Sequence, residues 1–111
     1  MSNKEMIHAF YAEVFNQSNA AAAANYLQPD YHQHNPGVTQ GCQGFIDTFA
    51  EAFASGKKMN LRILDIIEEG DLAFVYLTPL TPDGQLRPGH TVMDVYRIQD
   101  GKLAEHWDVL E

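Results

Sequence analysis

The first residues of the chain show apolar positions at helical spacing. Apolar residues recur in pairs every four positions: Met6 and Ile7, Phe10 and Tyr11, Val14 and Phe15. This spacing is that of the buried face of a helix. Ser2 and Glu5 have the spacing of a capping box, so the helix should begin at Ser2.

Two further helices are predicted before residue 57. A run of alanines from Ala20 favours a second helix that continues through Tyr26 and Leu27 and is stopped by Pro29. Between Gly41 and Gly56 the apolar residues again follow helical spacing: Phe45, Ile46, Phe49, Ala52 and Phe53. This segment should be the third helix, ending at the glycine.

The pattern changes to that of strands after Asn60. Four segments rich in β-branched and aromatic residues are separated by turn signals: Leu61–Ile67, Leu72–Leu80, Leu86–Ile98 and Leu103–Leu110. The Asp100-Gly101 link is the strongest hairpin signal. Helices followed by an antiparallel meander predict one α+β domain over residues 1–111, in which helices cover a twisted sheet and enclose an apolar pocket.

The composition narrows the classes of partner. The formal net charge of -8 disfavours nucleic acid and anionic membrane surfaces. No apolar run reaches the roughly 18 residues needed to span a bilayer. The single cysteine, Cys42, cannot form an internal disulfide and the first residues do not resemble a signal peptide, so a cytoplasmic location is expected.

An acidic residue interrupts the inner face of a predicted strand. Alternation places four side chains on that face: Val92, Asp94, Tyr96 and Ile98. The charged Arg97 marks the opposite face, with Met93 and Val95, as the outer one. An ionised carboxylate among apolar neighbours is costly unless it is paired or its proton affinity rises. Asp94 is therefore a candidate general base, and the alternative is a structural hydrogen bond to a neighbour.

The last predicted strand also carries polar residues. Alternation puts His106 and Asp108 on one face and Glu105 and Trp107 on the other. Apolar neighbours lie on both faces, so the pattern leaves open which face is buried.

Two histidines precede an Asn-Pro corner in the segment Tyr31 to Pro36. In an extended segment His32 and His34 would share a face and could bind a metal with a third ligand from His90 or Asp94. Alternatively, Pro36 fixes His34 and Asn35 at the rim of a pocket, facing Asp94. A solvated loop is the third interpretation.

The segments "YHQHNPGVTQGCQGF" and "MDVYRIQDGKLAEHWDVLE" together resemble the SnoaL-like polyketide cyclase branch of the NTF2-like superfamily. In that branch a Tyr-x-Gln-His-Asn-Pro segment precedes a Gly-x-x-Gly-Phe helix start. An Asp-x-Tyr/Phe-Arg block that ends in Glu-His-Trp-Asp follows, here Asp94 to Asp108. The resemblance covers most of the chain.

The resemblance implies an α+β cone around an apolar cavity, a homodimer packed through the outer sheet face, and no metal or organic cofactor. It implies acid/base roles for Asp94, His106 and Asp108, and substrate orientation by His34 and Asn35. Aromatic residues are plausible cavity walls: Tyr11, Tyr26, Phe49, Phe53, Tyr96 and Trp107. An aldol closure needs a base beside a carbonyl and a donor for its oxygen.

Three functional hypotheses follow. The first is a cofactor-independent acid/base enzyme acting on a small or medium apolar carbonyl compound. The second is a non-catalytic small-molecule-binding module of the same fold. The third, a metal enzyme using His32 and His34, ranks last because no acidic residue follows them before Asp47, where a cupin barrel would need one within a few residues.

Overall fold

The predicted capping box begins the first helix. The computed structural model describes residues 1–81, 83–85 and 91–110. In it the Glu5 amide donates to Ser2 Oγ at 3.1 Å, and the Ser2 amide donates to Glu5 Oε1 at 2.9 Å. Helix α1 spans Asn3–Phe10 and continues as a π-helical segment over Tyr11–Asn16. The predicted apolar pairs are all buried, which confirms this face as core.

The predicted second helix is wrong in type and extent. The alanine run forms a short 3₁₀ helix, Ala20–Asn25, and Leu27–Gln33 is strand β1, which contains Pro29. Strand β1 pairs in parallel with β5, and the register shifts between Leu27 and His32, around the proline. An edge strand tolerates a residue without an N–H group. The strand buries the side chains of Leu27, Tyr31 and Gln33, and this burial stabilises the extended conformation.

Over the described residues the sheet has five strands, one more than predicted. The remaining elements are α2 (Gly41–Ala54), β2 (Leu61–Glu69), β3 (Leu72–Pro79), β4 (Val92–Gln99) and β5 (Lys102–Leu110). The strand order is β1-β5-β4-β3-β2, antiparallel except for the parallel β1–β5 pair. Residues 86–90, predicted as the beginning of the third strand, lie outside the described residues. The Asp100-Gly101 link is confirmed, and both residues have positive φ, as a tight hairpin requires.

The core lies between the helices and the inner face of the sheet. Ile7, Phe10 and Val14 are fully buried from the helical side, and Ala73 and Val75 from the sheet. This packing of helices on one face of the sheet confirms the α+β architecture.

The described part of the chain contains no helix that is both long and apolar enough to cross a membrane.

Replacing Ile7 by alanine should lower the free energy of unfolding by about 2–5 kcal/mol, because it leaves a cavity in the fully buried core. Glu51→Ala is the control, since Glu51 is exposed on α2 and lies away from the core, and should cost less than about 1 kcal/mol. Urea unfolding of both variants at one protein concentration measures the difference. Equal losses would contradict the placement of α1 in the core.

Candidate functional site

A cavity of about 250 Å³ lies between the helices and the inner face of the sheet. Its apolar walls include aromatic and aliphatic side chains: Phe15, Val38, Phe45, Phe49, Leu77 and Val92. Its polar groups converge from β1, β4 and β5: Gln33, Asn35, Asp94, Tyr96, His106 and Asp108. An apolar cavity with a few convergent polar groups is typical of a small-molecule site.

Asp94 lies on the inner face of β4, as alternation predicts. Its side chain is buried, and its carboxylate has a partner on each oxygen. His106 Nε2 lies 2.9 Å from Asp94 Oδ1, and the Tyr11 hydroxyl donates to Oδ2. The Tyr11 and Tyr96 hydroxyls are 2.7 Å apart. Asp94 thus lines the cavity, as a general base would, and also makes the structural hydrogen bonds that were the alternative explanation of its buried position.

The face of β5 that carries His106 and Asp108 is the inner one. The sequence alone left open which face of this strand is buried. His106 is buried and sits opposite Tyr96 in the β4–β5 register, with their rings 4.8 Å apart. Asp108 sits opposite Asp94 in the same register. The antiparallel pairing therefore brings two carboxylates and an imidazole to one wall of the cavity.

Gln33 is a site residue that the sequence analysis missed. Its Oε1 lies 2.6 Å from His106 Nδ1 and accepts a bond from the Asn35 amide at 3.1 Å. Gln40 holds the backbone of Gln33 in place, because its side chain bonds both the amide, at 2.9 Å, and the carbonyl, at 2.5 Å. Extended alternation through Tyr31 and Gln33 was the available signal, since it places the glutamine opposite to its histidine neighbours.

The cavity tyrosines are neutral hydrogen-bond donors. Burial is the main cause that raises the pKa of Tyr11 and of Tyr96 well above the ordinary value, and the nearby Asp94 carboxylate raises both further. Burial also raises the pKa of Tyr31. These hydroxyls therefore keep their protons at neutral pH, so they can orient the carboxylate but cannot act as bases.

Asn35 lies at the cavity beside Asp108. Its Nδ2 donates to Asp108 Oδ2 at 3.2 Å, while its Oδ1 accepts from the Gly37 amide at 2.9 Å. This geometry is compatible with the rim position predicted for Asn35. Its contact with a substrate stays a prediction.

The prediction that His34 faces Asp94 across the pocket is wrong. The His34 side chain is 37% exposed on the outer face of the sheet, bonded to Glu105 Oε2 at 2.7 Å and stacked on Trp107. Because side chains alternate along β1, the inward position belongs to Gln33. Trp107 is also on the outer face, so it is not a cavity wall.

The other predicted walls lie in three different places. Tyr11, Phe49 and Tyr96 line the cavity. Tyr26 packs in the core against Phe10, with ring centroids 5.9 Å apart. Phe53 lines an adjoining open depression instead of the cavity.

The open depression, of about 710 Å³, adjoins the cavity at the end of α2. Lys57 and Met59 line both spaces, so they mark the mouth between them. The described lining of the depression holds no carboxylate or imidazole, which leaves the polar chemistry to the inner cavity. A ligand larger than the cavity could extend into this depression.

The structure separates the histidine pair from the cavity. His32 and His34 share the outer face with Glu105, and the ligand atoms of these three residues lie within 4.8 Å of one another. Asp94 lies on the opposite face, so it cannot complete a metal site with them. His90, the other predicted third ligand, lies outside the described residues.

Comparison with solved structures supports the fold. TsrD from Streptomyces laurentii superposes with a TM-score of 0.76 and 22% identity, over 97% of this chain and 87% of that one. IdmH from Streptomyces antibioticus gives 0.74 and 20%, over 100% and 93%. A SnoaL-like polyketide cyclase from Agrobacterium tumefaciens gives 0.73 and 16%, over 100% and 92%.

A comparison with curated protein sequences found no match. The family model of the SnoaL-like domain matches residues 7–106, which is most of the chain. The structural neighbours include SnoaL-like and NTF2-like proteins. On these findings, this chain belongs to the SnoaL-like domain family.

Proposed function

We propose that the chain is a cofactor-independent acid/base enzyme of polyketide-cyclase type, acting on a small or medium apolar carbonyl compound by aldol condensation or isomerisation. The observation that carries the proposal is the buried Asp94 carboxylate, held between His106 and Tyr11 at the wall of an apolar cavity. Both reactions begin by removing a proton from a carbon next to a carbonyl. A cavity of about 250 Å³ favours a compact substrate.

The hydrogen bonds define where one proton lies. The backbone N–H of Asn35 can only donate, so the Gln33 atom that it contacts must be the side-chain oxygen, Oε1. This same oxygen faces His106. His106 Nδ1 must therefore carry a proton. The other nitrogen, Nε2, then shares a second proton with Asp94 Oδ1 across 2.9 Å. Asp94 and His106 form a unit that can hold or release a proton beside the substrate.

The two carboxylates have different surroundings. Asp94 accepts a hydrogen bond from Tyr11 and shares a proton with His106. Asp108 accepts a hydrogen bond from the neutral side-chain amide of Asn35. The first arrangement suits proton delivery to a developing enolate oxygen. The second suits removal of the carbon-bound proton, since fewer donors compete for the carboxylate. We assign these roles to Asp94 with His106 and to Asp108, with Asn35 orienting the substrate.

A non-catalytic binding module is the second candidate. In the described part of the chain, every buried polar side-chain atom already has a hydrogen-bond partner. A cavity whose polar groups satisfy each other could hold an apolar ligand without reacting with it. Ligand binding without proton exchange would favour this candidate.

Asp94→Asn should lower the rate of carbon-bound proton exchange about 100-fold or more, because the amide cannot deliver a proton to the developing enolate oxygen. The measurement is ¹H NMR of small cyclic ketones and 1,3-dicarbonyl compounds in D₂O, where the protein should accelerate loss of the signal next to the carbonyl. Asp71→Asn, at an exposed acid, is the control and should leave the rate unchanged. A full rate in Asp94→Asn would refute the assignment. Compounds that raise the melting temperature but do not exchange would favour the binding module.

His106 should carry a proton at Nδ1, and a long-range ¹H–¹⁵N correlation spectrum reports this directly. Gln33→Met removes the acceptor, so the Nδ1 proton should no longer be fixed and exchange activity should fall about 10-fold. Gln43→Met, on exposed α2 surface, is the matched control. An unprotonated Nδ1 in the unaltered protein would contradict the proposed proton position.

We further infer a homodimer packed through the outer sheet face. Four apolar side chains stand in register across that face: Ile67, Phe74, Val95 and Trp107. Ile67 is 59% exposed, and Tyr76 beside this row is 39% exposed. An apolar row of this kind on the free face of a sheet favours association.

Val95→Lys should convert the dimer to a monomer, because it buries a charge in the middle of the apolar row. Light scattering coupled to gel filtration at micromolar concentration measures the mass. Glu51→Lys, which makes an exposed residue of α2 positive, should leave the dimer intact. A monomeric mass for the unaltered chain would rule out the inferred dimer.

A further inference from the structure

Three potential metal ligands meet where β1 and β5 pair on the outer face of the sheet. His32 and His34 are two positions apart on β1 and its end, so their side chains share a face, and Glu105 is the register partner of His32. Their ligand atoms lie within 4.8 Å of one another, and both histidines are exposed. Two imidazoles and a carboxylate are a common ligand set for Zn²⁺ and its neighbours in the first transition series.

The side chains around the three ligands hold two of them in orientation. The His34 ring is stacked between His32 and Trp107, at centroid distances of 4.4 and 4.8 Å. Arg97 Nε donates to Glu105 Oε1 at 3.0 Å, which leaves Oε2 directed at His34. Contacts of this kind, which orient a ligand without touching the metal, are typical of metal sites.

The charge state of the carboxylate also suits a cation. Glu105 supplies a carboxylate oxygen, an anionic ligand that Zn²⁺ accepts at about 2.0–2.2 Å. The chain as a whole carries a formal net charge of -8, which favours cations over anions. Arg97 opposes a cation locally, but its bond neutralises one oxygen of Glu105 and leaves the other available.

Binding requires a small rearrangement. The 2.7 Å contact of His34 Nε2 with Glu105 Oε2 must open, because ligand atoms around a tetrahedral zinc lie about 3.3 Å apart at metal distances of about 2.0–2.2 Å. The exposed His32 ring must also turn toward them, since the three ligand atoms are up to 4.8 Å apart. The ligands lie at the β1 edge of the sheet, next to Trp107 at the end of the apolar row, so both movements occur at the margin of the inferred dimer interface.

We propose that His32, His34 and Glu105 bind one divalent transition-metal ion, such as Zn²⁺, on the outer face of the sheet, where it links β1 to β5. This site is separate from the cavity and from its acid/base groups, which lie on the opposite face. Its ligands come from two strands, so the bound ion should stabilise their pairing.

Isothermal titration of protein prepared without an affinity tag, using zinc chloride alone, tests the proposal. We expect one ion per chain, a dissociation constant in the micromolar range or below, and a higher melting temperature with zinc. His32→Gln and His34→Gln should each weaken binding by about 10-fold or more. Both positions are exposed, so the variants should remain folded, which circular dichroism verifies.

Two controls make the result decisive. His8→Gln, at an exposed histidine of α1, should leave the affinity unchanged. His106→Gln should also leave it unchanged, since that imidazole faces the cavity. Absence of saturable binding, or loss of binding in His106→Gln but not in His34→Gln, would overturn the proposal. Because zinc affinity is measured without any substrate, failure of the catalytic proposal would not affect this result.

Discussion

The parallel pairing of β1 with β5 determines the chemistry of both faces of the sheet. It puts Gln33 beside His106 on the inner face and His32 beside Glu105 on the outer face. A slip of one residue would exchange the two sets, since successive side chains point to opposite faces. Backbone bonds fix the register at both ends: the Leu103 amide donates to the Tyr26 carbonyl at 2.8 Å, and the His34 amide to the His106 carbonyl at 3.1 Å. The proposed acid/base unit therefore depends on a strand that supplies none of its carboxylates.

Burying Asp94 is tolerable because its partners replace water. An unsatisfied buried polar group costs about 1–3 kcal/mol, and more if it is charged. Tyr11, Tyr96, His106 and Gln33 form a connected chain of bonds that removes this cost. The same chain holds each donor in place before any ligand arrives, so little reorganisation is needed when a proton moves. The stability of the fold and the orientation of the proposed acid/base groups therefore depend on the same side chains.

The sequence predicted most of the fold where the local pattern and the tertiary contacts agree. The capping box, the apolar pairs of α1, the third helix and the inward position of Asp94 follow from spacing alone. Strand β1 could not be predicted this way, because the alanine run favours helix and Pro29 resembles a helix stop, while the stabilising partner, β5, lies some seventy residues away. Similarly, β5 carries apolar residues on both faces, so only its pairing with β4 identifies His106 as the buried residue. The misplacement of His34 follows from the missing strand: without the β1–β5 pairing, alternation does not show whether the His34 side or the Gln33 side of the segment faces the cavity.

Pro29 has a consequence for how molecules of this protein meet one another. Strand β1 forms one edge of the sheet, and a free edge offers backbone amides and carbonyls to any passing strand. A proline within that edge has no amide to offer, and the register shift around it interrupts the ladder. Strand addition, the first step toward open-ended fibrils, is therefore blocked at this edge.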